Sequence, residues 1–403
     1  MGEIMRKISI RFGKVDKEFD VIEKPVPHIL VDSKKEMHGW YRPRDPRGER
    51  ECTAERLLLN PYAGCTHDCF FCYAHAMYSY YMAYRKEKVV TVFNNYDQLV
   101  AEQLDKIKVG ACGYLSAVTD PLQPINNTYR LTEKLIQVFN TRGLPVDIIT
   151  KARISDEVLD LMKGHPKNFV QISILTLDDD KRKKLTPGGA SVDALLDNVE
   201  RAANAGVYTV VRIDPLIPHV TDNEEDLAAL IKEVTSRGAK HIISSMMDVP
   251  PILKGDIISG LGQFVRNPEQ VFFPSKGNDG YNRLIMKDWN FNLAYRRNKF
   301  KFMREMCDKA GVTFSLCMEF EKTDKKLGNE FVVRGLNREF MSSANCEGMD
   351  TPMYIKWFGA FQPVNCSGSC LRCSSHQACG IPDLRTGGNW KLKDYRRWSK
   401  NLP

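Results

Sequence analysis

Residues 60–74 read NPYAGCTHDCFFCYA and set Cys65, Cys69 and Cys72 in a C-x3-C-x2-C spacing. Thiolates are soft ligands that suit iron–sulfur clusters or zinc. Electron-transfer clusters and structural zinc sites usually take four protein ligands, and here only three cysteines are local. His67, inside the loop, is either a fourth ligand or an exposed histidine, and Cys52 upstream could close a zinc site. The alternative is a cubane with one iron left without a protein ligand, and an open position is what separates a catalytic metal centre from a closed one. Phe70, Phe71 and Tyr73 surround Cys72 with aromatic mass, which limits water access and tunes a cluster's potential.

Working outward, RLLLNPY (56–62) is a strand leading into this loop, and 73–84 continue as a helix. Further apolar runs of strand length follow at 111–118 (ACGYLSAV), 145–150 (PVDIIT), 168–175 (NFVQISIL), 207–213 (VYTVVRI) and 241–246 (HIISSM). Helical spacing separates them at 128–141, 156–163, 192–205 and 224–236, with Gly206 as a stop signal. Short, nearly continuous apolar strands between helices predict a parallel sheet covered on both faces. Six such units suit an open doubly wound sheet or a partial barrel, and no G-x-G-x-x-G follows any strand. In either architecture the site lies at the C-terminal ends of the strands. The cysteine loop, Thr119-Asp120, Thr150-Lys151 and Asp214-Pro215 all fall there.

Residues 1–50 read as an N-terminal appendage with β-like pieces at 8–12 and 28–31, then a basic Pro-rich stretch, YRPRDPRGERE, expected to be loop. Residues 247–300 read as irregular, 300–310 as a basic amphipathic helix, and 312–318 (VTFSLCM) as a last strand. The expected division is an appendage over 1–50, an α/β core over 51–318 and a Cys-rich C-terminal segment over 319–403.

The cysteine motif on the loop after a first strand resembles the radical S-adenosylmethionine (SAM) superfamily. The resemblance implies a partial (β/α)6 TIM-type barrel and a [4Fe–4S] cluster on Cys65, Cys69 and Cys72 whose open iron chelates SAM. One electron then cleaves SAM to methionine and a 5′-deoxyadenosyl radical, which takes hydrogen from a substrate. Across 56–250, NPYAGCTHDCFFCYA, YLSAVTDPLQP, DIITKA, QISIL and VVRIDPLIP resemble the spore photoproduct lyase-like branch, often labelled DNA repair photolyase. That closer resemblance places Thr119, Lys151 and Ser173 as SAM contacts, with Tyr73 where the lyase tyrosine follows the last cysteine. Arg212 is a further cofactor contact, or else a structural partner of Asp214. One departure stands out. The lyases carry a hydrogen-donor cysteine two residues before the SAM-contacting threonine position, and here that residue is Ala117. Cys112 lies on the other face of an alternating strand and about 16 Å away, so it is no substitute, and spore photoproduct repair itself is not expected.

The chain has 403 residues, 12 of them cysteine, with a net charge of +8. The cysteines cluster, which in a reducing compartment points to metal or catalysis rather than disulfides. Cys366, Cys370, Cys373 and Cys379 repeat the first spacing and add a fourth thiolate. Such a closed set suits a second, auxiliary [4Fe–4S] cluster or a zinc ion, with Cys346 a spare ligand or a buried thiol and His376 incidental. No apolar run reaches the roughly 18 residues of a membrane helix and no secretory signal is evident, so a cytoplasmic protein without a membrane partner is expected. Lys/Arg interleave with aromatics at 295–305 and 389–403, a pattern that binds nucleic acid or is simply a solvated helix face. The expected partners are SAM, an external one-electron reductant of ferredoxin or flavodoxin type, and DNA or RNA to be repaired or modified. Alternative substrates are a peptide, protein or metabolite, and the remote alternative is a non-catalytic metal-binding protein.

Overall fold

The computed structural model describes residues 4–12, 14–41, 44–45, 48–49, 56–274, 280–285, 288–328, 330–366, 379–381, 383–384 and 388–400. Seven parallel strands form the core: β1 (Arg56–Leu59), β2 (Cys112–Leu115), β3 (Val146–Thr150), β4 (Phe169–Ser173), β5 (Tyr208–Leu216), β6 (His241–Met246) and β7 (Thr313–Leu316). They pair in chain order, each with the next. Beyond β1 the sheet continues antiparallel through His38–Tyr41 and Gly388–Lys391. Among the described residues β7 does not pair back to the other edge, so the barrel is partial.

Helices cover the convex face. Val192–Asn204 is representative. The Ser191 hydroxyl accepts from the Ala194 N–H at 3.3 Å, an N-cap bond that satisfies an otherwise orphaned donor. Val192, Leu195, Leu196, Val199 and Ala202 form its buried stripe, and Gly206, at φ +75°, reverses the chain. On the concave face, register aligns Arg56, Cys112, Tyr114, Asp147, Phe169, Gln171, Ser173, Val210, Arg212, Ile243 and Ser315, because paired residues of a sheet point to the same side.

The floor of this lumen is closed from the C-terminal part of the chain. Met349 packs among Cys112, Phe169, Val210 and Ile243. Glu347 forms a buried ion pair with Arg56 and accepts from Gln171 at 3.2 Å. The Cys346 carbonyl accepts from Ser315 at 2.6 Å.

Several expectations change. Residues 247–300 are not irregular: they hold helices Lys254–Leu261 and Pro268–Phe272 and the hairpin Tyr281–Ile285/Asp288–Phe291. Part of the basic Pro-rich stretch is sheet. Arg44–Asp45 and Gly48–Glu49 pair with each other, and the latter with Glu330–Gly335. The strand expected over 111–118 ends at Leu115, so face alternation does not extend to Ala117 and Thr119. Cys112 nonetheless lies on the lumen floor, fully buried, away from the strand ends.

Candidate active site

The cysteine loop runs from β1 across the C-terminal rim. Gly64 takes φ +88° over Tyr84, whose Cβ would lie 2.8 Å from an added methyl. The loop 119–124 cradles it from β2: the fully buried Gln123 accepts from the Thr66 N–H at 3.2 Å and donates to the Gly64 carbonyl at 3.1 Å. Gly188 braces the far side, donating to the His67 carbonyl at 3.2 Å. Helix Lys254–Leu261 packs on Phe70 through Gly260, so part of the stretch expected to be irregular shields the loop.

Asp120 is the hub. Its carboxylate accepts from Thr150 Oγ1 (2.8 Å), from the Lys151 N–H (2.6 Å) and from the Leu122 N–H (2.8 Å), and it lies 2.8 Å from His67 Nε2. Burial drives its carboxyl up, but His67 and the two N–H donors outweigh that and hold it below its ordinary value. The other nitrogen of His67, Nδ1, lies 2.8 Å from the Gly188 carbonyl. His67 thus faces both Gly188 and Asp120, although its Nε2 makes no hydrogen bond of sound geometry to the carboxylate. Cys52 lies outside the described residues.

The donor set fits a cationic cluster. Burial, then Asp120 and the neighbouring cysteines, push the Cys65 thiol well up. Burial also takes Cys69 to about 12, although Lys151 opposes it. Three thiolates could share this pocket only around a centre that supplies positive charge. Just past the end of β2, Thr119 Oγ1 and Ser116 Oγ are buried without a hydrogen-bond partner among the described residues. Buried hydroxyls are seldom left so, and these two are free to meet a ligand. Thr119 was expected as a SAM contact; Ser116 was not.

Of the other expected contacts, Lys151 lies near enough to Cys69 to act on its charge, and Ser173 ends β4, buried, in register with Arg212. Arg212 is held within the protein: it pairs with Asp214, donates to Gln171 Oε1 at 2.8 Å and lies near enough to Cys317 to act on its charge. Tyr73 donates to the Ala117 carbonyl at 2.7 Å. Its ring is half exposed although Tyr114, Cys72, Cys317 and Arg212 surround it, which places it in the open lumen. Cys317, one residue past β7, shares that space as a partly exposed free thiol. Sequence reading passed over Cys317, because only the register of the last strand aims it inward. In the second cysteine set, Cys366 is partly exposed and Cys379 buried, while Cys370, Cys373 and His376 lie outside the described residues. Cys346 is buried beside Arg56 on the lumen floor.

Residues 59–231 match the model of the radical SAM superfamily. The chain carries a radical SAM domain. It is 27% identical over 361 residues to the radical SAM Nalpha-GlyT isomerase of Pseudomonas phage M6, covering 87% of this chain and 73% of the phage protein. It is also 25% identical over 181 residues to an uncharacterised protein of Methanocaldococcus jannaschii, covering 45% of this chain and 68% of that one. Among solved structures, spore photoproduct lyase with bound AdoMet and dinucleoside spore photoproduct superposes with a TM-score of 0.52 at 16% identity, covering 68% of this chain and 78% of the lyase. Another lyase structure gives 0.53 at 15%. The enzyme therefore has the spore photoproduct lyase-like fold, and the domain match implies SAM and a [4Fe–4S] cluster as cofactors. Among the described residues no helix is long and apolar enough to cross a membrane.

Proposed function

We propose that Cys65, Cys69 and Cys72 hold a [4Fe–4S] cluster with SAM on its open iron, and that the enzyme rearranges a nucleoside-bearing substrate in the lumen. Bound there, the pair supplies a 5′-deoxyadenosyl radical at the cost of one electron from an external reductant of ferredoxin or flavodoxin type. The observation that carries the reading is the three-thiol loop at the same strand-end rim as two unpartnered buried hydroxyls. Thr119 and Ser116 orient SAM, Lys151 sits beside the thiolate cage, and Asp120 fixes both strand ends. Phe70, packed against Phe71 and Phe264, keeps water from the loop.

An isomerisation is favoured by the phage relative, which is named an isomerase and aligns well beyond the matched domain, and a nucleoside-bearing substrate by the similarly folded lyase with its bound dinucleoside photoproduct. An isomerisation conserves atoms, so hydrogen taken from one carbon must be returned to another atom of the rearranged product. Arg212, Asp214, Tyr73 and Cys317 line the space where this would occur. We place a second, auxiliary [4Fe–4S] cluster on Cys366, Cys370, Cys373 and Cys379, and the protein in the cytoplasm. Iron analysis tests the former: two cubanes give about eight iron per chain and one about four. The reaction class is tested by incubating anaerobically reconstituted protein with SAM, dithionite and modified-thymidine oligonucleotides. A product isomeric with its substrate, absent with Cys69→Ala, supports the reading; turnover of peptides but of no oligonucleotide sinks it.

A further inference from the structure

Strands Tyr354–Trp357 and Ala360–Pro363 form a hairpin with Trp357 opposite Ala360, so the turn is the two residues Phe358–Gly359. Both have positive φ, 48° and 89°. A turn of that kind is ordinarily filled by Asn-Gly or Asp-Gly, because a bulky side chain at positive φ is strained. Phe358 is nevertheless there, 99% exposed, beside Trp357 at 47%. Their rings meet edge to face, with centroids 6.0 Å apart. The strain is not relieved by burial, so folding gains nothing from this residue.

The tip is also firmly braced. Lys356 Nζ donates to the carbonyls of Leu104 (2.9 Å) and Asp105 (3.2 Å) at the end of helix Tyr96–Asp105. Its N–H donates to the Lys108 carbonyl at 2.7 Å, the Phe361 N–H donates to the Arg142 carbonyl at 2.7 Å, and Phe361 is buried. Helix Leu392–Ser399 lies alongside, its Ser399 hydroxyl accepting from the Lys108 N–H at 2.7 Å. It buries Leu392, Tyr395 and Trp398 and leaves Lys393, Arg396 and Lys400 exposed. These three share one stripe at i, i+3 and i+7, and none forms an ion pair among the described residues. The contrast is with 295–305, the other basic aromatic stretch. There Arg296, Arg297, Lys299 and Arg304 are committed to Glu319, Glu339, Glu224 and Asp308, so that helix is structural.

We infer that the Trp357–Phe358 tip and the Lys393–Arg396–Lys400 stripe form a single-strand nucleic-acid anchor on the N-terminal side of the barrel, away from the lumen mouth. Rigid exposed aromatics stack on unpaired bases whatever their sequence, and a neighbouring cationic stripe follows the phosphates. The anchor goes beyond the proposed radical chemistry, which takes place at the opposite ends of the strands.

The test is fluorescence anisotropy of the full chain with labelled oligothymidylate and oligouridylate of about 20 nucleotides, between about 50 and 200 mM salt. Wild type should bind, more weakly as salt rises, and the tighter of the two probes names the natural strand. W357A/F358A should weaken binding about tenfold or more at every salt, whereas K393E/R396E/K400E should weaken it chiefly at low salt and flatten the salt slope. F358N guards against misfolding, because it suits the turn and should melt no lower than wild type while still binding more weakly. SAM cleavage with dithionite should be unchanged in all three, which separates failure here from failure of the lumen chemistry. Unaltered oligonucleotide binding by W357A/F358A overturns the anchor. So does the absence of binding by wild type, which would turn the exposed aromatics over to a protein partner.

Discussion

Gly188→Ala is the substitution on which the account of the cysteine loop depends most sharply. An added Cβ would lie 2.1 Å from the Thr66 carbonyl oxygen and 2.9 Å from His67 Cα. Both obstacles are backbone of the loop between Cys65 and Cys69, so no side chain can swing aside. Restoring a tolerable contact needs a shift of about 0.9 Å. The shift lengthens the Gly188 N–H to His67 carbonyl bond and the His67 Nδ1 contact to the Gly188 carbonyl, now 3.2 and 2.8 Å. Overpacking of this kind costs about 1–3 kcal/mol, and each weakened hydrogen bond about 0.5–1.5 kcal/mol more. The chain can absorb that and still fold, but a misplacement near 1 Å costs about a hundredfold in rate. The expected variant melts a few degrees lower, retains less iron at the first site after reconstitution and forms 5′-deoxyadenosine about a hundredfold more slowly. Gly255→Ala is the control: nothing lies within 4 Å of its added Cβ, and in a helix it should be neutral or stabilising by about 0.5–1 kcal/mol. A Gly188→Ala protein with full iron and wild-type turnover would refute the close-packed loop.

Three further outcomes are expected. Thr119→Val should raise the KM for SAM about tenfold, since a hydrogen bond to a charged ligand is worth about 1.5–3 kcal/mol; if the hydroxyl has no ligand, the change leaves KM untouched. Burial, opposed by Arg212, pushes the Cys317 thiol up to about 11. Alkylation of Cys317, followed by peptide mass spectrometry, should therefore be slow at neutral pH and accelerate about tenfold per unit as pH rises, and SAM should protect it. Asp147 is pushed up to about 7 by burial, against the opposing pull of Arg56, Gln171 and Arg212. Its folded value exceeds its unfolded one, so the stability it contributes is full below about pH 4 and lost as pH rises through 7, by up to about 4 kcal/mol. Urea melts of Asp147→Asn should show a flatter pH dependence over that window than wild type.

The parallel core was legible because its strands are covered on both faces and read as short apolar runs between helices. The helix Glu224–Ser236 was readable to the residue, since Thr221-Asp222 announces its start and its stripe is regular. The three-cysteine loop was legible for a different reason, as thiolates in that spacing have few other uses. Residues 247–300 were misread because their helices and hairpin are short, and their packing on Phe70 and Arg296 is a tertiary matter. Cys317 and Glu347 were invisible as lumen residues, since their direction depends on strand register and on a C-terminal segment folding back under the barrel. His67 read equally as a ligand or an exposed side chain; it is buried, with Nδ1 on the Gly188 carbonyl and Nε2 facing Asp120. The charge of 295–305 read as a polyanion contact or a solvated helix face, and the acids that neutralise Arg297 and Lys299 were not legible because they are distant in sequence.

The central claim is that the set at Cys65, Cys69 and Cys72 is the catalytic one. Its direct test is 5′-deoxyadenosine formation from SAM and dithionite by anaerobically reconstituted wild type, Cys69→Ala and Cys370→Ala. The account predicts product from wild type and from Cys370→Ala and none from Cys69→Ala. Product from Cys69→Ala, or none from iron-loaded wild type, would contradict it.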